Sequence, residues 1–374
     1  MPFSRHFSLV FFNQFNPFLL DGACQSLLAR LSFIQSQDNQ VSIINYVSRD
    51  LPSYFFSDTL ADAPDAVIRE SDVCRAVFRG SPFYERILPL AHEAASNQLT
   101  FQIILQDLGR QEIDFVCTTD EAYIPLLAIS FQNISGVHFF NSLPNVQNFA
   151  HQPVHNAFLK GRTIISNSEF LQEKIESLLG LPSIIWHPFI ELDNYRVRDD
   201  DHRTFIIGFS AAGGYSKGTA IVAAISARMP DFAFIVVGRG FDFPSIALPK
   251  NVTFWGHIAD MKRFYREIDI LLVPSLVEEA FGRVILEAAI NGIPTIANRV
   301  GGISEALGDS GILIDYESQI DINAIADKYV AEIRRLMDNP VVYEEYRIKA
   351  LARAEIYLQT QRKESEEIYN RYFL

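Results

Sequence analysis

The sequence predicts an α/β protein made of two doubly wound domains facing a central cleft. Three observations predict it. Short β-branched runs alternate with helical patterns along most of the chain, as in parallel strands joined by helices. At 374 residues the chain is long enough for two such domains. A polar stretch from Asn194 to Arg203, holding Asp199, Asp200 and Asp201, divides the halves and reads as a solvated hinge, not a metal motif.

Bulk properties narrow the class. Apolar residues make up 48% and charged residues 21%, which is a globular balance. The net charge of −13 excludes nucleic acid as a partner and offers no polybasic membrane patch. Cys24, Cys74 and Cys117 lie far apart without metal-ligand spacing and read as buried thiols of a reducing compartment. No apolar run reaches the length of a membrane span. The start, Phe7–Phe12, is too short for a signal peptide and reads as a first strand, so a cytoplasmic protein is expected.

The first domain is expected over residues 1–192. Phe7–Phe12, a helix from about Ala23 to Ile34 and the strand Val41–Val47 form a strand–helix–strand opening. Residues from about Pro64 to Ser96 read as apolar, aromatic helices carrying Val77, Phe78, Phe83, Tyr84, Ile87 and Leu90. That stripe serves as core, or else as an acceptor wall or partner surface. Ile113–Asp120 is a further strand; Asp120 is a site candidate at its carboxyl end or the cap of a helix from Ala122 to Phe131. Strands follow at Gly136–Ser142, Arg162–Ser168 and Ile184–Pro188, with an amphipathic helix from Glu169 to Leu179 ended by Gly180 and Pro182.

The second domain is expected over residues 203–356. Its strand Phe205–Phe209 runs into Ser210–Gly218, a glycine-rich turn with Gly214 and Lys217 ahead of a helix, able to take a phosphate. Strand-and-turn units follow at Phe234–Gly240 and Val252–Ile258, and helices at Ile322–Met337 and from Val341 to about Glu355 and on to Tyr372.

One stretch carries the chemistry. Asp269–Val273 is a buried strand, followed by the loop and helix start PSLVEEAFGRVILE from Pro274 to Glu287. The helical run from Arg283 to Asn291 ends with Gly292 in a left-handed conformation and Pro294 blocking continuation. A glycine turn into a helix leaves backbone N–H groups for an anion. Glu279 and Glu287 bracket that seat, and a carboxylate can accept from both hydroxyls of a diol. A sugar nucleotide has that order: sugar hydroxyls, diphosphate, ribose diol. The competing reading makes Glu279 a cap and Glu287 a solvated helix residue paired with Arg283.

The stretch PSLVEEAFGRVILEAAINGIPTIANRVGGISEAL resembles the donor-site signature of glycosyltransferase family 4, the retaining GT-B enzymes with two Rossmann-like domains. The resemblance is strong in the C-terminal half and weak in the N-terminal half. It implies transfer of a sugar, with retention and without a metal or other cofactor, from a UDP-sugar or other NDP-sugar. The acceptor would be a glycan or lipid-linked glycan in polysaccharide biosynthesis, with any membrane contact peripheral and through the acceptor. It implies that Glu279 contacts the donor sugar, Glu287 the ribose, and Lys217 the diphosphate. The backbone at Phe281, Gly282, Arg283 and Val284 would meet sugar and phosphate. Gly238 and Ile258 would line the base pocket, with His257 as a turn residue there. The last helix, about 357–374, would pack back on the N-terminal domain.

Three departures from the family pattern matter. Asp21-Gly22 keeps only one glycine of the loop after the first strand, so Gly22 is the phosphate-side candidate and Asp21 an alternative N-cap. The strand-end histidine is replaced by Asn141, while His138 reads as a core or site histidine. Phe209-Ser210 stands where an arginine is usual, and Arg283 is the candidate to replace its charge. These departures leave two other readings open: a GT-B nucleotide-sugar 2-epimerase, or a non-catalytic nucleotide-binding subunit.

Overall fold

The computed structural model describes residues 6–12, 22–37, 39–48, 67–70, 84–90, 115–118, 134–144, 153–190, 192, 205–211, 214–238, 249–256, 258, 260–315 and 321–374. The chain divides into two compact units. The first comprises Met1–Asn167, Gln172–Phe189 and Glu364–Leu374; the second comprises Ser168–Leu171 and Ile190–Lys363.

In the first unit the strands are β1 (His6–Phe12), β2 (Gln40–Ser48), β3 (Val67–Glu70), β4 (Tyr84–Leu90), β5 (Phe115–Thr118), β6 (Gly136–Phe139), β7 (Thr163–Ser166) and β8 (Ile184–Ile185). They form one sheet in the order β3-β4-β2-β1-β5-β6-β7-β8, with β3 antiparallel to β4 and the other pairs parallel. Helices α1 (Gly22–Gln35), α2 (Pro153–Lys160) and α3 (Glu169–Leu179) connect or flank them. Phe115–Thr118 and the last three residues of β6 are buried, which is why these strands read as unbroken apolar runs.

One sequence expectation fails here. Residues 67–70 and 84–90, expected as helix, are strands. Pro89 would interrupt a helix, whereas in β4 it lies beyond Tyr84–Ile87, the part paired with β3 among the described residues. Val77, Phe78 and Phe83 lie outside the described residues. So do Asp21, Asp120, His257, the expected helix Ala122–Phe131 and the hinge aspartates 199–201.

The end of the chain is built into this unit. Helix α9 (Pro340–Tyr372), the last helix of the chain, runs unbroken for 33 residues. Ile368, Tyr369 and Phe373 share one core cluster with Phe7, Phe115, Phe139 and Trp186. Phe373 stacks on Phe115 at 5.3 Å, and the Trp186 indole N–H donates to Ser365 Oγ at 2.9 Å. Burying that indole together with its one donor makes the end of α9 part of the fold and not a free surface helix.

In the second unit the strands are β9 (Ile206–Ala211), β10 (Ala233–Gly238), β11 (Val252–Gly256), β12 (Ile270–Val273), β13 (Thr295–Asn298) and β14 (Ile312–Ile314). The helices are α4 (Thr219–Arg228), α5 (Met261–Glu267), α6 (Arg283–Ala289), α7 (Ile303–Leu307) and α8 (Ile322–Met337), followed by most of α9. The sheet is wholly parallel, in the order β11-β10-β9-β12-β13-β14. With β9 as the first strand this is the 3-2-1-4-5-6 order of a doubly wound sheet, whose direction of winding reverses between β9 and β12. Ligands of such sheets sit at the carboxyl ends of the two strands flanking that reversal. Two apolar clusters cover the two faces, one around Phe264, Leu271 and Ile285 and one around Ile221, Ile270 and Tyr329. No helix of the described residues is long and apolar enough to cross a membrane.

Candidate functional site: the carboxyl ends of β9 and β12

The chain leaves β9 through the glycine-rich turn and forms a three-residue 3₁₀ turn, Tyr215–Lys217, before α4. Gly218 follows with φ +84°, and a Cβ there would meet the Pro274 carbonyl oxygen at 2.1 Å. Only glycine lets this turn lie directly on the loop after β12. Leu276 N–H donates to Ser216 O at 2.8 Å and ties the two loops together.

The result is a close pair. Lys217 Nζ donates to Glu279 Oε1 at 2.5 Å, and Ser275 Oγ donates to the same oxygen at 2.5 Å. The two side chains of the ion pair are 31% and 17% exposed, so solvent and solutes reach both. These residues lie 62 positions apart in sequence, and the reversal of winding between β9 and β12 brings them together.

The loop carrying Glu279 is held from several sides. Gly301, with φ +57°, lies against it so closely that a Cβ would meet the Glu279 carbonyl oxygen at 2.4 Å. Gly302 N–H donates to that same carbonyl at 2.7 Å. Ser168 Oγ donates to Ala280 O at 2.5 Å. Beneath the loop, buried Tyr329 donates its hydroxyl to Asn298 Oδ1 at 3.0 Å, and Asn298 Nδ2 donates to Ser275 O at 3.0 Å. A loop tied at Ser275, Glu279 and Ala280 presents its carboxylate from a fixed base.

Helix α6 starts after Gly282 and has only seven residues, with Gly292 left-handed at φ +65° beyond its end. A dipole over so short a helix is small, so the charge of Lys217 outweighs it. Inside α6 lies a second acidic site. Arg283 Nε donates to Glu287 Oε1 at 2.8 Å, the four-residue pair foreseen by the competing sequence reading. Tyr265 of α5 donates its hydroxyl to Glu287 Oε2 at 2.8 Å. Arg283 and Glu287 are only 8% and 5% exposed, so Glu287 is not the solvated helix residue of that reading. Val284 is half-buried, and the Phe281 side chain is buried against Tyr357 at 5.9 Å, which leaves Phe281 only its backbone for a ligand.

The other candidates are placed as follows. Gly214 is buried and its carbonyl accepts from Lys217 N–H at 3.0 Å. Gly238 ends β10 opposite Ala211, and Ile258 is half-buried after β11, packed on the cluster around Phe264. In the first unit Gly22 opens α1, and half-buried Asn141 lies two residues past β6, its Oδ1 accepting from Arg30 Nη1 at 3.4 Å. His138 is wholly buried, with Nδ1 2.7 Å from Thr118 Oγ1. Burial, aided by the nearby Arg162 cation, drives its pKa down to about 3, so it is a neutral core histidine. Cys117 is a free, buried thiol whose pKa burial raises to about 12.

Sequence reasoning missed Tyr265, Asn298, Tyr329 and Ser168. The only signal for Asn298 was a polar residue ending an apolar strand, and the tyrosines were hidden among core residues.

Residues 218–339 match the family model described as glycosyl transferases group 1. A D-inositol 3-phosphate glycosyltransferase of Mycobacterium sp. (strain JLS) is 31% identical over 181 residues, and the match covers 41% of this chain and 41% of the relative. The chain thus spans about two-fifths of the length of that relative. Among solved structures, the Anabaena HepE protein in complex with UDP and glucose superposes with a TM-score of 0.70 at 17% identity, covering 97% of this chain and 98% of that one. The sucrose-phosphate synthase of Thermosynechococcus elongatus gives 0.74 at 16% identity, covering 99% of each. These likenesses show the GT-B fold.

Proposed function

We propose that this chain transfers a sugar from a nucleoside-diphosphate sugar, with UDP as the favoured nucleotide, to a glycan or lipid-linked glycan acceptor. The observation that carries the reading is the Lys217–Glu279 pair where the winding of the sheet reverses, with Glu287 eight residues on. The group 1 match over this region supports it, as do fold relatives solved with UDP and UDP-glucose.

In this reading the donor replaces an internal ion pair. Its diphosphate takes Lys217, and the freed Glu279 accepts from hydroxyls of the donor sugar. Glu287 accepts from the ribose diol, while Gly238 and Ile258 border the base. The C1–O bond to the diphosphate breaks and its electron pair goes to the phosphate oxygen. The acceptor hydroxyl bonds to C1 on the same face and passes its proton to that oxygen. Lys217 and the amides at the start of α6 stabilise the charge as it develops, so no metal is needed. Asn141 offers its amide to a sugar hydroxyl in place of the usual histidine. The domain boundaries near 192 and 203, a cytoplasmic location and a place in polysaccharide biosynthesis complete the proposal.

The test is a screen of purified protein against UDP-, GDP- and ADP-sugars, reading binding by calorimetry and slow hydrolysis by release of nucleotide. Binding of one donor with hydrolysis and unchanged sugar supports transfer. Conversion of the donor to a new nucleotide sugar would make the chain an epimerase, and binding without turnover a non-catalytic subunit.

A further inference from the structure

We infer that Tyr265 is a positioning residue for the nucleotide: its hydroxyl sets the plane of the Glu287 carboxylate so that both oxygens face the ribose diol. The inference rests on Glu287 being the ribose acceptor, as proposed above.

A glutamate side chain is soft at its end. The last torsion of the side chain is broad, so one hydrogen bond leaves the carboxylate free to rotate. In this site two donors from different elements engage different oxygens. Arg283, on the same helix, takes Oε1 at 2.8 Å, and Tyr265, on α5, takes Oε2 at 2.8 Å. Two anchors on opposite oxygens fix the plane, which one anchor cannot do. An ionised carboxylate has about four acceptor positions. After the bonds to Arg283 and Tyr265, one position on each oxygen remains, matching the two hydroxyls of a vicinal diol.

The placement of Tyr265 is itself built. Asp260 caps α5 by accepting from Lys262 N–H at 2.9 Å. One turn later, Tyr265 is 2% exposed, its ring against Phe264 at 5.2 Å. A phenylalanine would fill that space, so the hydroxyl is the part that core packing does not require. It is spent on the carboxylate, 22 residues away in sequence. The same short helix follows the turn at Ile258, so one element connects the proposed border of the base pocket to the ribose acceptor.

The test compares binding of each nucleoside diphosphate (UDP, GDP and ADP) with that of its 2′,3′-dideoxy counterpart, for wild type, Tyr265→Phe, Glu287→Gln and the double variant. The quantity read is the affinity ratio of ribose to dideoxyribose for the nucleotide that binds. Wild type should favour the ribose form by roughly 50-fold and Glu287→Gln by only a few-fold, as for lost charged hydrogen bonds. Tyr265→Phe should lower the ratio about tenfold, and should lower it no further in the Glu287→Gln background. A structural role alone would weaken both nucleotides equally and leave the ratio at its wild-type value; that result overturns the inference while leaving the ribose reading intact. A wild-type ratio near one, or no binding of any of the three, would overturn the ribose reading and the inference with it.

Discussion

In the sheet from β9 to β14, the loops that follow the two central strands bring a lysine and a glutamate together where solvent reaches both. In the sheet from β1 to β8, β6 holds a neutral histidine sealed in the core and is followed by an uncharged asparagine. Around their central strands both sheets share the order of a doubly wound fold. Among the described residues, what differs is the side chain placed beyond the strand and whether water reaches it. A further contrast lies inside the second unit. The Lys217–Glu279 pair is partly exposed, whereas the Arg283–Glu287 pair keeps only 8% and 5% of its side-chain surface exposed.

The largest effect that sharpens this contrast is on stability. Glu287→Ala removes the carboxylate that pairs with the buried Arg283 cation and should destabilise the fold by about 3–5 kcal/mol in chemical denaturation. Glu279→Ala should cost under about 1 kcal/mol, because solvent screens its pair. Equal losses would erase the distinction between the two carboxylates.

The second effect is on pH dependence and belongs to the first unit. The folded pKa of His138, about 3, lies below the ordinary 6.5, so the unfolded chain takes up this proton first as pH falls. Its contribution to stability is therefore complete above about pH 6.5 and is lost progressively toward pH 3, at up to about 1.4 kcal/mol per pH unit. His138→Gln should flatten that part of the stability curve; an unchanged slope would show that the histidine is not held neutral.

Smaller effects are catalytic. Glu279→Ala should lower turnover about 100-fold, or roughly 2.7 kcal/mol, with a smaller loss of nucleoside diphosphate affinity. Lys217→Ala should weaken diphosphate binding by about 1.5–3 kcal/mol, the range of a hydrogen bond to a charged group. Asn141→Ala should slow transfer by less than about tenfold, as a neutral hydrogen bond worth about 1 kcal/mol would. Steady-state kinetics and calorimetry separate the three.

Much of this was legible in the sequence because it is local. Glu279, Gly282, Glu287 and Gly292 occupy one strand–loop–helix unit, whose turn chemistry and spacing are read within about twenty residues. Lys217 was legible as part of a glycine-rich turn, but its contact with Glu279 depends on strand order, which a single sequence does not display. Tyr265, Asn298 and Tyr329 were hidden for a different reason. Each sits in an apolar pattern that already accounts for it as core, so its polar atom leaves no periodic trace. The strands at 67–70 and 84–90 were misread because a short apolar run fits either element, and Pro89 went unused as the deciding residue. Arg283 was expected as a replacement cation for the diphosphate; its Nε pairs with Glu287.

The most direct measurement is a crystal structure of the protein soaked with the nucleoside-diphosphate sugar that binds it. The diphosphate should lie within hydrogen-bonding distance of Lys217 Nζ, with the Lys217–Glu279 contact parted and both ribose hydroxyls on Glu287. A nucleotide bound elsewhere, with the lysine and glutamate still joined, would contradict it.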